Sequence, residues 1–373
     1  LLIGSFTFTL TSNGADLTIT RNSGTSGDSL TIQNFVASGT EAWTNSFGAL
    51  RLNSPVPGDD EVESGYDNDI IGTSSSNTLI GTSDNDQLIG DDGNDTLEGS
   101  NGNDNLKGGD GDDVIRGELG NDIIYGGSGN DDIQDGWGED NTVFGGAGND
   151  SINTSLDNIN VGPFGDSYLF GETGDDILIS GDGDDYLDGG DGADNLYAGR
   201  GNDFLFGGDG DDTLRNQGGN DFLYGEAGND TLWATEDTEI NDQTALYGGD
   251  GDDTLYGGIG SNTLDGGAGN DDLTYENLYD NQPYALPIYV NLLLGVATNS
   301  VVNPIIADIE TVYGTEFGDT LIGSANDDNL YGWGGDDSVS GGDGDDSLTA
   351  IGNYNNTIEG GRGNDYISTS AYN

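Results

Sequence analysis

Twenty-two aspartates keep one register of a nine-residue spacing, and side chains of that type at that spacing could hold metal ions. One unbroken run is Asp86, Asp95, Asp104, Asp113, Asp122 and Asp131. A second is Asp176, Asp185, Asp194, Asp203, Asp212, Asp221 and Asp230. The same place in other units is assigned to Asp69, Asp150, Asp253, Asp271, Asp319, Asp328, Asp337, Asp346 and Asp365. Around these residues the chain reads GGDGDDTLY (248–256) or GGAGNDSIN (145–153). A single Asp in a Gly-rich turn is ordinary turn chemistry. Twenty-two copies in register predict cation ligands. Ca²⁺ accepts about six to eight oxygens in a tolerant geometry, and carboxylates with Gly-turn carbonyls supply them. Mg²⁺ demands a tighter octahedron and holds its waters, so it suits such turns poorly.

The elements that must position these carboxylates follow from the rest of the unit. Two places after each Asp stands Leu, Ile or Val, in 29 units counted from Ile71 through Ile367. The six residues G-G-x-G-x-D make a turn, and three residues x-U-x suffice for a short strand. In a strand the middle side chain faces opposite to its neighbours, so the aliphatic residue points inward. Two units then form one coil, with a strand on each face and a turn on each edge. The expected fold is all-β: a right-handed parallel β-roll, a solenoid stacked on calcium, with a small N-terminal β domain. Some 14 coils at a strand spacing of ~4.8 Å would give a rod of roughly 65–70 Å. Aspartates 18 apart share an edge, so Asp86, Asp104 and Asp122 form one ladder and Asp95, Asp113 and Asp131 another. Bare carboxylates stacked this way would repel. One ion between successive turns gives about 15–20 Ca²⁺ and neutralises roughly half the net charge.

Composition narrows the functions. The chain carries 70 Asp and Glu against 7 Lys and Arg, a net charge of -63, which excludes ordinary affinity for nucleic acid or anionic membrane. His and Cys are absent, excluding disulfides, zinc fingers and Ser-His-Asp or Cys-His catalysis. No apolar run approaches the ~20 residues of a membrane span. The chain opens on Leu1, holds no Met and stops at Asn373 just after a repeat, which reads as a processed product or a piece of a longer chain.

Residues 1–58 are expected to form the small β domain, with alternating stretches Phe6–Leu10, Leu17–Thr20, Ser29–Phe35, Glu41–Phe47 and Leu50–Leu52. Asn13-Gly14 predicts a hairpin turn. Residues 59–69 are an acidic linker and entry to the repeats, and 70–373 are the β-roll, with insertions at about 154–166, 234–245 and 275–310. Within the last, Ile288–Leu294, Gly295 and Val296–Thr298 predict a hairpin. Asn77 and Asn262 stand where Asp is expected, and the units ending at Val143, Leu169, Leu246 and Ile358 leave the consensus.

The array resembles the RTX, or haemolysin-type, calcium-binding repeats of secreted bacterial proteins over about residues 65–370. Gly14–Phe35 resembles the small β domain that often accompanies such repeats, and Ile288–Gly323 an insertion common between repeat blocks. The resemblance implies export by a type I system, a chain unfolded in calcium-poor cytosol, and folding outside the cell. The function expected is a secreted, calcium-loaded structural protein of a surface layer, filament or adhesin. The rival is the non-catalytic, repeat-bearing part of a larger secreted protease, lipase or polysaccharide-modifying enzyme; this chain itself is not expected to be an enzyme. Outward residues on the sheet of Leu169, Leu187, Leu205 and Leu223 include Phe170, Tyr186, Phe204, Phe206, Phe222 and Tyr224, whereas the opposite sheet shows only Tyr197 and Trp233. That aromatic face predicts a cover: a neighbouring molecule, the 275–310 insertion or a saccharide. The partners expected are another copy of the chain, end-to-end or lateral, or a cell-surface polysaccharide.

Overall fold

A computed structural model describes residues 8–12, 17–21, 29–32, 66 and 68–370, apart from 136–139, 156–164, 235–243, 259–262, 276–286, 299–304 and 352–354. Glu41–Phe47, Leu50–Leu52, the linker Ser54–Glu63 and Asn262 lie outside the described residues. The chain divides into two compact units, Leu1–Phe144 and Gly145–Asn373. No helix among the described residues is long and apolar enough to cross a membrane.

The first unit begins with β1 (Phe8–Ser12), β2 (Leu17–Arg21) and β3 (Ser29–Ile32). They form an antiparallel sheet in which Leu10 faces Ile19 and Ile19 faces Leu30. This matches three of the five expected stretches. From Asn68 onward the unit is a parallel β-solenoid. Leu88 pairs with Leu106 and Leu106 with Ile124 in one sheet; Leu79, Leu97, Ile115 and Ile133 stack in the other. The pairing partners are 18 residues apart, so two nonapeptides make one coil. Strand alternation sends the middle residue inward, and these leucines and isoleucines are almost wholly buried.

The second unit repeats the arrangement. Leu169, Leu187, Leu205, Leu223, Leu246 and Leu264 stack on one face. Leu178, Leu196, Leu214, Leu232, Leu255 and Leu273 stack on the other, and Val312, Leu330 and Leu348 continue that column. The repeat region winds about 14 turns in all. The two last aliphatic positions are covered least: Ile358 is half-buried and Ile367 is exposed.

The hairpin expected near Gly295 is present. Tyr289–Asn291 and Val296–Thr298 pair antiparallel across a single 3₁₀ turn, Leu292–Leu294, capped by the Asn291 side chain and by Gly295 in the left-handed region (φ 62). It wedges into one sheet only, between Ile305–Ala307 and Thr320–Ile322. In the opposite sheet the corresponding strands, Thr311–Tyr313 and Asn329–Tyr331, pair directly. The repeat already resumes at Ile305–Ala307, which pairs in parallel with Thr263–Asp265, so it begins inside the stretch read as an insertion.

The register of the opening unit needs correction. Asn68 pairs with Asp86, and Ile70, not Ile71, pairs with Leu88. Asp69 therefore falls beside Gln87, one place past the aspartate ladder. The Ile70-Ile71 doublet offers two candidates for the inward position. Only Ile70 lies nine residues before Leu79, and only Ile70 is buried.

The turns use glycine at two places that other residues fill badly. Gly109 and Gly111, second and fourth in their unit, have φ of 119 and 137. A Cβ on Gly111 would also run into the Gly93 carbonyl one coil away. The second place tolerates other residues at a strain: Asp91, Ser100, Glu118, Glu172 and Glu226 all hold φ between 75 and 85 there.

Candidate metal centres

Each turn delivers its sixth residue to the sheet edge, and strand pairing sets successive sixth residues one coil apart. The carboxylate of each then accepts the backbone N–H of the one before it. Asp86 N donates to Asp104 Oδ1 (2.7 Å) and Asp104 N to Asp122 Oδ1 (2.7 Å). On the other edge Asp95 N donates to Asp113 Oδ1 and Asp113 N to Asp131 Oδ1. In the second unit one ladder runs Asp150, Asp176, Asp194, Asp212, Asp230, Asp253 and Asp271. The other holds Asp185, Asp203 and Asp221. After the hairpin, Asp319 donates to Asp337, Asp328 to Asp346, and Asp346 to Asp365. Every aspartate assigned from the sequence except Asp69 thus stands in a ladder.

The backbone bond satisfies one oxygen only. Oδ2 of Asp95, Asp104, Asp113, Asp122, Asp176, Asp194, Asp203, Asp212, Asp230 and Asp253 is buried with no hydrogen-bond donor. Leaving a buried anionic oxygen unpaired is costly, and a proton or a cation removes the cost. The proton's share is visible in the acidities. Burial pushes Asp104 and Asp203 up to about 8, and Asp194 and Asp230 up to about 7; a donated backbone N–H offsets part of the rise, and neighbouring carboxylates add to it.

The space beside these oxygens fits a cation. Most of these Oδ2 atoms point at the first glycine of their turn, alongside a carbonyl of the next coil, as in Asp95, Asp104, Asp113, Asp194 and Asp212. A Cβ on Gly90 would collide with Asp95 Oδ2 and Gly108 O, and one on Gly189 with Asp194 Oδ2 and Gly207 O. Such a cradle presents carboxylate and carbonyl oxygens, the donor set of a hard cation. Among the described residues no three acidic side chains converge on one point, so main-chain carbonyls must supply part of any coordination shell.

Several turns close the cradle themselves. Thr82 donates its N–H (2.5 Å) and its hydroxyl (2.9 Å) to Asp86 Oδ2. Thr315 does the same to Asp319 and Ser324 to Asp328, with N–H distances of 2.6 Å. Thr73 N–H donates to Asn77 Oδ1, so Asn fits this kind of turn. These turns hold Thr or Ser in the second place without the positive φ that Asp91, Ser100, Glu118, Glu172 and Glu226 adopt there, so the N–H reaches the side-chain oxygen. Asn216 Nδ2 likewise donates to Asp221 Oδ2.

Four features escaped the sequence reading. Glu310 Oε2 accepts from Asp271 N (3.0 Å) and so continues a ladder with Glu; its place two residues before Val312 was the available signal. Asn141 and Asn356 continue ladders with an amide oxygen. Fifth residues form an exposed outer ladder with the opposite sense, as in Asn202 N to Asp184 Oδ1 and Asn220 N to Asn202 Oδ1. The fourth is Asp135, buried beside Asp122.

The RTX calcium-binding nonapeptide repeat family matches residues 71–106, 98–133, 135–158, 164–196, 188–216, 206–238, 245–276, 313–348 and 351–371. The chain belongs to this family. No curated protein matches it. RTX nonapeptide repeats bind calcium, and the proteins that carry them are typically secreted. The cradles described above supply the oxygens that such binding requires, from the sixth-position carboxylates and the carbonyls of the next coil.

Proposed function

We propose that this chain is a secreted, calcium-folded scaffold, serving in a bacterial surface layer, an extracellular filament or an adhesin. The carrying observation is the ladder of buried aspartates, in which one oxygen accepts a backbone N–H and, in ten of them from Asp95 to Asp253, the other has no donor. Calcium that binds only the folded coils stabilises them by linkage. About 15–20 ions would follow from one per pair of stacked turns, with fewer where Thr82, Thr315, Ser324 and Asn216 already close the cradle.

Self-association is the favoured mode of partnering. Phe204 and Phe222 stack at 5.1 Å with 6° between their planes, as do Phe206 and Tyr224 at 5.0 Å. Ring faces turned toward each other leave edges outward, which suits packing against another protein surface better than a flat sugar platform.

Far-UV circular dichroism tests the folding claim. Chelator should give a coil spectrum, and millimolar Ca²⁺, the affinity range of extracellular modules, a β spectrum. Replacing Asp194 and Asp212 together by Asn should move the calcium midpoint upward more than replacing Asp59 and Asp60. A β spectrum indifferent to chelator would refute calcium-dependent folding.

A further inference from the structure

The residue in the first place of a unit decides what fills a cradle. Glycine leaves the space to a ligand, as at Gly90 and Gly189. Asn216 fills it with a neutral amide that donates to Asp221 Oδ2. Asp135 occupies the same first place, directly after the strand Asp132–Gln134, and does something different. Its side chain reaches back one coil, into the space beside Gly117. A Cβ there would meet Asp122 Oδ2 and, at 2.6 Å, Asp135 Oδ1. Two carboxylates from successive coils thus enter one cradle.

Both side chains are 1 % exposed, and Asp122 Oδ2 has no donor. The arrangement also compensates a loss. The sixth-place residue of the turn after Asp135 is Asn141, whose amide oxygen accepts Asp122 N–H at 3.0 Å. The ladder has no carboxylate at that step, and Asp135 restores one from a different position. Two buried carboxylates facing one space repel unless positive charge lies between them. Oxygen sites of this kind gain affinity with the number of charged ligands.

We propose that Asp122 and Asp135 form a two-carboxylate site for a hard divalent cation, one that the repeat consensus does not build and that Ca²⁺ fills before the one-carboxylate cradles. The proposal rests on calcium as the ion of the array.

The test is a Ca²⁺ titration of the metal-free full chain against a chromophoric chelator, comparing the wild type with Asp135→Gly and Asp135→Asn. Asp135→Gly installs the residue that Gly99 and Gly117 show to be accepted in this place. The wild type should bind one ion at least ~10-fold more tightly than the rest, following ligand charge count. Asp135→Gly should keep that ion at ordinary affinity. Asp135→Asn, an amide like Asn216, should lose it and lower the stoichiometry by one. Circular dichroism at saturating Ca²⁺ checks that each variant folds, and either variant alone suffices for the comparison. Isotherms that overlay the wild type would overturn the two-carboxylate site and leave the calcium reading standing. A wild type that binds no Ca²⁺ at all would overturn both.

Discussion

Asp104 shows what a single residue contributes. Its Oδ1 is anchored by Asp86 N–H, its Oδ2 has no donor, and burial raises its pKa to about 8. Asp203 is raised to the same value for the same first cause. An aspartate whose folded value lies above its unfolded one of 3.8 binds protons more tightly in the fold. Its favourable contribution to the metal-free fold is therefore complete below about pH 4 and is lost as pH rises through about 6–8. The metal-free chain is expected to gain β structure as pH falls from 8 toward 4, monitored by circular dichroism in chelator. Calcium displaces those protons, so binding at pH 6.5 should release protons that binding at pH 9 does not, measurable as a buffer-dependent heat. Absence of proton release at pH 6.5 would mean that these carboxylates are already ionised without metal. Ladder positions were legible in the sequence because nine-residue spacing fixes them. Acidity was not, because it depends on which oxygen the backbone claims.

At the scale of the element, the second residue of a turn separates two kinds. Glycine there, or a residue held at positive φ such as Ser100 or Glu118, leaves Oδ2 open; Thr82, Thr315 and Ser324, which do not take positive φ, cover it with an N–H and a hydroxyl. Asp104→Asn removes a cation ligand and should raise the calcium midpoint, with a loss of about 1–3 kcal/mol for the unpaired buried oxygens that remain. Asp86→Asn should move the midpoint far less, because the neighbouring Thr73–Asn77 turn already carries an amide in that role. Equal shifts in the two variants would erase the distinction between turn kinds. Strands, turns and the hairpin at Gly295 followed from the sequence because period two inside period nine leaves one inward position per unit. Asp69 was misplaced because Ile70-Ile71 supplies two aliphatic residues where the register needs one. Glu310 and Asp135 were missed because both lie outside the Asp-only pattern: Glu310 is a Glu in the sixth place, and Asp135 is an Asp in the first. The mate of Asp135, Asp122, sits one coil away and becomes visible only after stacking.

For the molecule as a whole, the same ions that order the coils remove charge that keeps copies apart. With -63 charges the metal-free chain repels itself; bound calcium neutralises a large share of that. The aromatic column of the second unit is then an apolar strip on its surface. Phe204 and Phe222 remain 43 % and 36 % exposed although they stack on each other, while Leu205 and Leu223 fill the core behind them. Stacking alone contributes about 0.5–1.5 kcal/mol per pair. That is small against the whole array, so replacing both rings by Ser should leave calcium-induced folding nearly unchanged. Association should respond differently, because the rings are neighbours on one face and would be lost together from any interface covering it. Sedimentation velocity in millimolar Ca²⁺ should show larger species for the wild type and mainly monomer for the double variant, with matching circular dichroism. A wild type that stays monomeric at high concentration, or a variant that associates equally well, would assign these rings to rung-to-rung stacking alone, within a sheet whose cross-strand partners already account for them.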